Sequence, residues 1–258
     1  MMFMTSEFLT NQIITVVCIS FEVFHYLYIK TIFENLTYEW SRYNMHKEIK
    51  IIVFDLDGVL YDGQSAAFHI AQQVGLGQEY QKLFMKIAKE QLSFHQSVLL
   101  GAEIWKGIEF GGKYRQLVKN LPLMEGAEET VDVLKTTGYQ VGCISSGVSQ
   151  FFMEPLAERL DLDFAHSNIL GTSNGKHAGT IEFAMGGPQK AETALMLLET
   201  RNLSTKNLAS IGDGTNDINL FGVSAFSIAF NPENEEVSGA ATITVHSKNL
   251  ESILEYFV

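Results

Sequence analysis

The chain has 258 residues, 46% of them hydrophobic and 19% charged, with a formal net charge of −12 at pH 7. That balance suits one or two packed domains and excludes a disordered chain. The acidic excess sets the surface against nucleic-acid phosphates, so no nucleic-acid partner is expected.

From Ile13 to Phe33 the chain is apolar and β-branched, almost long enough to span a bilayer. Glu22, His25 and Lys30 interrupt it, and charge is costly in lipid. No Lys or Arg precedes the run and no A-x-A site follows it, unlike a secretory signal. Three readings compete: an anchor through residues 13–33 with Lys30, Arg42, Lys47 and Lys50 on the cytoplasmic side, a segment packed on the domain, or a translated upstream region with Met45 as the true start. The last is preferred, so residues 1–44 are set aside as an extension and membrane association is not favoured. The only cysteines, Cys18 and Cys143, have no CxxC or Cys/His spacing around them, which argues against zinc or a disulfide framework and for a reducing, cytoplasmic setting.

Beyond Met45, short apolar runs recur at Lys50–Phe54, Gln140–Ile144, Leu208–Ile211, Ala225–Phe230 and Ala241–Val245. Runs of this length between helical patterns mark buried parallel strands of an α/β fold. Helices are predicted over Glu125–Thr137, Phe151–Leu160 and Gln189–Thr200, and a hairpin over Ile169–Phe183 around Asn174-Gly175. Between the first two strands lie roughly eighty residues, too many for a simple crossover. Within them AAFHIAQQVG, EYQKLFMKIAKEQL and EIWKGIEF read as helix pieces. The expected organisation is a core of residues 45–63 and 122–258 with a helical cap of residues 64–121 inserted after the first core strand. Polar residues closing several strands would then meet in one crevice.

Four polar clusters follow in order, three where strands end and one at a helix start. Asp55-Leu56-Asp57-Gly58 puts two carboxylates on one side of a strand end. One can attack phosphorus, and the other can protonate a leaving oxygen and later take a proton from water. DxDG also occurs in calcium loops and turns, but calcium loops usually follow a helix. Ser145-Ser146-Gly147 offers a hydroxyl and backbone N–H groups to phosphate oxygens, or a helix N-cap; Ser145 would serve the anion while Ser146 caps. Lys190, near a predicted helix start, is a surface lysine on its own account, or the partner of a fixed anion. Gly212-Asp213-Gly214-Thr215-Asn216-Asp217 is a surface turn, or a set of hard oxygen ligands suited to Mg²⁺.

Taken in order, DLDGVL, the CISSG turn, QKAETAL and IGDGTNDINLF make the chain from about Lys50 onward resemble the haloacid-dehalogenase superfamily, and within it the phosphoserine phosphatase group. The resemblance implies a Rossmann-like three-layer α/β/α fold with a parallel sheet. It implies a Mg²⁺-dependent phosphomonoester hydrolase acting through an aspartyl-phosphate on a small phosphorylated metabolite, as a monomer or homodimer. Asp55 would be the nucleophile and Asp57 the general acid/base. Ser145, Ser146, Gly147 and Lys190 would bind the phosphoryl group. Asp55, the Asp57 carbonyl and Asp213 would ligate the metal, with Asn216 and Asp217 behind them. A phosphotransferase or phosphomutase could use the same residues, and a catalytically retired binding protein is the non-enzyme alternative. A dehalogenase would lack Asp57, and a P-type ATPase would carry Thr there.

The sequence departs from the phosphoserine phosphatases in the cap. Gln64 stands where the group has a Glu for the substrate amine, and Gly101 where it has an Arg for the carboxylate. Lys106, Lys113 or Arg115 would have to compensate, and a lysine does not copy a bidentate Arg. The expectation is therefore a less charged substrate than phosphoserine, such as a sugar or polyol phosphate met by Gln64, His69, Gln72, Gln73 and His95.

Overall fold

Ile51, Ile52, Val53 and Phe54 form β1 and are wholly excluded from solvent, as a strand covered on both faces must be. The computed structural model describes residues 48–258. The readings of residues 1–44 and of a start at Met45 lie outside the described residues. Among the described residues no helix is long and apolar enough to cross a membrane.

The chain continues through α1 (Ala66–Gln73), α2 (Gly77–Glu90), α3 (Phe94–Ile104), α4 (Gly112–Lys119), α5 (Ala127–Thr136), β2 (Gln140–Ser149) and α6 (Gln150–Arg159). It then forms β3 (Phe164–Ser173), β4 (Lys176–Phe183), α7 (Gly187–Thr200), β5 (Leu208–Gly212), α8 (Ile218–Gly222), β6 (Phe226–Phe230), α9 (Glu235–Ala240) and β7 (Ile243–Val245). The seven strands make one sheet in the order β4-β3-β2-β1-β5-β6-β7, parallel except for the antiparallel edge strand β4. It is the α/β sheet the apolar runs predicted. Strand alternation turns Ile51 and Val53 toward Ala194, Leu197 and Leu198 of α7, and therefore Ile52 and Phe54 to the other face. The chain leaves β1 for β2 on one side and returns to β5 on the other, so the carboxyl end of β1 is a switch point where a crevice opens.

Three elements differ from expectation. β2 runs on past Ile144 to Ser149, with a register shift against β3 between those residues, so Ser145-Ser146-Gly147 lies in the strand, while the helix starts at Gln150 beside the predicted Phe151. β3 starts at Phe164, because its first half pairs with β2 and only its second half belongs to the hairpin. EIWKGIEF is not a helix: α3 ends at Ile104, and the chain then lies along β4. There Gly107 N–H donates to the His177 carbonyl (2.8 Å) and His177 N–H to the Ile108 carbonyl (3.0 Å). The free backbone groups of the edge strand outcompete helix continuation. The hairpin turn itself is as read, with Asn174 and Gly175 at φ of 50° and 72°.

Candidate active site

Three strand ends bring the polar clusters together. Asp55 follows β1, with its N–H bound to the Ile211 carbonyl of β5 (2.9 Å), and its side chain is buried. Lys190, on the first turn of α7, is 0% exposed. Its Nζ donates to Asp55 Oδ1 and to Asp217 Oδ1, each at 2.7 Å. This overturns the surface reading of Lys190: the helix start carries a cation because two buried carboxylates face it. Burial would push Lys190 down, but Asp217 and then Asp55 more than offset that and hold its pKa above the ordinary range.

Asp213 completes the cluster. Carboxylate oxygens of Asp55, Asp213 and Asp217 all lie within 4.8 Å of one another. Asp217 is the third carboxylate of this group. Its Oδ2 accepts from the N–H groups of Asp213 (3.1 Å) and Gly214 (3.2 Å), which folds the loop back on itself. Asn216 is half-buried in the same 3-10 turn, Thr215–Asp217. Gly58, at φ +74°, lets Asp213 in: a Cβ there would stand 2.0 Å from Asp213 Oδ2.

Crowding shows in the acidities. Burial raises Asp213 to about 8, with Asp55 and Asp217 adding to the rise. Burial raises Asp55 to about 6 against the pull of Lys190. Burial and then the Asp55 charge raise Asp57 to about 7, while the Ala66 N–H opposes the rise. That N–H, at the start of α1, donates to Asp57 Oδ1 at 2.7 Å and fixes the carboxyl.

Ser145 is wholly buried beyond Cys143, which pairs with Phe54, and its Oγ accepts from Gly147 N–H at 3.2 Å. That leaves the Ser145 hydroxyl proton to be donated elsewhere. Gly147 is needed for the approach of Asp57: a Cβ there would fall 1.9 Å from Asp57 Oδ2. Ser146 is not the helix cap. Ser149 holds that position, and the Oγ atoms of Ser146 and Ser149 are both buried without a hydrogen-bond partner.

Asp57, Ser146, Gly147 and Ser149 open onto a cavity of about 260 Å³. Its opposite wall comes from the insert, including Tyr80, Leu83, Phe84 and Trp105. Of the cap residues singled out from sequence, Gln64 and Gly101 line it. His69 instead packs edge-on to Tyr61, and Gln72, Gln73 and His95 are exposed on the insert, away from the lining. Lys106, Lys113 and Arg115 do not line it either; Arg115 is paired with Glu158. The aromatic wall went unread in the sequence, although Tyr80, Leu83, Phe84 and Ile87 carry the i, i+3, i+4, i+7 signal of one helix face. A larger groove of about 780 Å³ lies between α6, β3 and α7, away from the carboxylates.

A model of haloacid dehalogenase-like hydrolases matches residues 49–220. The chain belongs to this family. Within the haloacid dehalogenase-like hydrolases it is a phosphatase of the phosphoserine phosphatase-like group. It is 30% identical over 215 residues to the phosphoserine phosphatase of Methanocaldococcus jannaschii, covering 82% of this chain and 99% of that protein. It is also 30% identical over 211 residues to that of Wolinella succinogenes, covering 81% and 100%. A solved phospho-aspartyl intermediate analogue of phosphoserine phosphatase superposes with a TM-score of 0.69 at 28% identity, covering 82% of this chain and 100% of that one. A substrate-bound phosphoserine phosphatase does so at 0.70 and 28%, covering 81% and 99%.

Proposed function

We propose that the protein hydrolyses the monoester of a small phosphorylated metabolite through a phosphoaspartate on Asp55. The observation that carries this is the Lys190 ammonium, bound at once to Asp55 and Asp217 with Asp213 beside them. A carboxylate held in that way is ionised, aimed and close to further anion-binding charge.

The donor set fits a divalent cation: hard carboxylate oxygens, crowded enough that Asp55 and Asp217 help to raise the pKa of Asp213. Asp55, the Asp57 carbonyl and Asp213 would hold Mg²⁺, with Asn216 and Asp217 supporting them. When bound, the ion supplies positive charge against the phosphoryl oxygens. Residues 64–121 act as a cap over a core of 45–63 and 122–258.

Asp55 attacks phosphorus as the bond to the leaving oxygen breaks, and protonated Asp57 gives that oxygen its proton. Asp57, now a carboxylate, takes a proton from the water that attacks the phosphoaspartate, so phosphate leaves and both acids return to their first state. Ser145 and Lys190 hold the phosphoryl oxygens, with Ser146 and Gly147 following Ser145 near the end of β2. Asp55→Asn is expected to abolish phosphate release from p-nitrophenyl phosphate with Mg²⁺. Turnover by a folded Asp55→Asn protein at the wild-type rate would refute the assignment.

A further inference from the structure

The cavity that ends on Asp57 is the environment of the leaving group, and its walls are specific about charge. Among the described residues, none in its lining is a Lys, Arg or His, and the only acid there is Asp57. An amino-acid carboxylate placed there would be desolvated with no cation to meet it, and an ammonium would find Gln64 in place of an acid. The neutral polar groups in the wall are only partly free. Asn168 Nδ2 donates to the Ser146 and Val148 carbonyls, and its Oδ1 accepts from Met185 N–H. Tyr80 OH accepts from Trp105 Nε1 at 2.6 Å and Ser65 Oγ from Phe68 N–H, each with its hydroxyl proton left to donate. Most of the remaining wall is apolar: the rings of Tyr80 and Phe84 with Ile87 on one face of α2, then Trp105 and Phe152. Phe84 and Phe94 reach solvent at 39% and 41% exposure, so the apolar wall continues outward. The lining that includes Asp57 also holds two hydroxyls, of Ser146 and Ser149, only 6% and 4% exposed and without partners.

We propose that the alcohol released by this enzyme is an uncharged, mainly apolar group, aromatic or aliphatic, with at most one neutral polar substituent beside the ester to meet Ser146 and Ser149. This rests on the phosphatase reading and names its substrate class. It replaces the sugar or polyol phosphate expected from sequence: of the five polar cap residues behind that expectation, only Gln64 faces the cavity. Gly101 carries the same preference. A side chain there would have room, its Cβ lying 3.9 Å from Leu83 Cδ2 and 4.0 Å from Tyr80 OH. The first atom of a side chain is therefore accepted at the cavity wall, and among the described residues no cation lines it.

The test is kcat/KM with Mg²⁺ for benzyl phosphate, a series of n-alkyl phosphates, O-phosphoserine and glycerol 3-phosphate. Benzyl and hexyl phosphate are expected to exceed the other two by at least about tenfold, with each added methylene contributing about three- to fourfold until the cavity is filled. Phosphoserine or glycerol 3-phosphate turned over as well as benzyl phosphate overturns the inference and leaves the phosphatase reading intact. No turnover of any ester, p-nitrophenyl phosphate included, overturns both. Gly101→Arg should shift the benzyl-to-phosphoserine ratio toward phosphoserine by about tenfold or more; an unchanged ratio in the folded variant counts against the proposal. Phe84→Ala, at the half-exposed rim, should lower the same ratio several-fold whether or not Gly101→Arg folds, and no change there also overturns it.

Discussion

Lys190 is the residue on which the site's electrostatics turn. A lysine with no solvent contact survives only because Asp55 and Asp217 both accept from it. Removing it leaves two buried carboxylates without their cation, which ordinarily costs about 3–5 kcal/mol. Lys190→Met is expected to lose stability of that order in urea denaturation as well as turnover. Lys190→Arg should not restore either, since a planar guanidinium does not fit two separate single contacts. Asp57 sets the pH dependence. In the proposed mechanism the first step needs its proton, and burial together with Asp55 raises it from the ordinary 3.8 to about 7. The kcat/KM for an alkyl phosphate should therefore fall as pH rises through the neutral range. Asp57→Asn should abolish that alkaline limb along with most of the rate, by about a hundredfold or more.

At the scale of elements, the insert is tied to the sheet through β4. His177 is buried with both ring nitrogens unpaired, packed edge-on by Phe151 at 4.6 Å and Phe110 at 5.4 Å between ring centroids. Burial lowers it to about 4, so the folded protein keeps it neutral where the unfolded chain would protonate it. The sign follows: stability from this group is full above the unfolded value near 6.5 and is lost as pH falls toward 4. His177→Phe keeps the ring and removes the titration. It should raise the melting temperature more at pH 5 than at pH 7.5, measured by thermal unfolding. The same packing explains why EIWKGIEF was misread. Its local pattern allows a helix, but Gly107 and Ile108 find backbone partners on β4 that no neighbouring residue reveals.

For the whole molecule, the carboxylate cluster couples stability to cation and pH. Asp57 and Asp213 hold their protons more tightly folded, at about 7 and about 8, than at the ordinary 3.8. In chelator, their contribution to stability should therefore decline as pH rises from about 4 through 8. Saturating Mg²⁺ should remove much of that decline by binding the ionised cluster, read as a rise in melting temperature that is larger at pH 8 than at pH 5. A melting temperature indifferent to Mg²⁺ at pH 8 would contradict the cation site. The buried strand runs and the acids that close them were legible in sequence, because a strand covered on both faces must be continuously apolar and a polar residue at its end must have a use. Asp55, Asp57, Asp213 and Asp217 announced themselves in that way. The burial of Lys190, the approach of Gly147 to Asp57 and the aromatic wall of the cavity did not. Each depends on what another segment places opposite, over separations such as the 135 residues between Asp55 and Lys190, and contacts across such distances leave no local period to read. The sequence alone determined which chemical groups the protein has and at which strand ends they stand; the tertiary structure decided which of them lose water together, and burial is what turns an ordinary lysine or carboxyl into a reactive one.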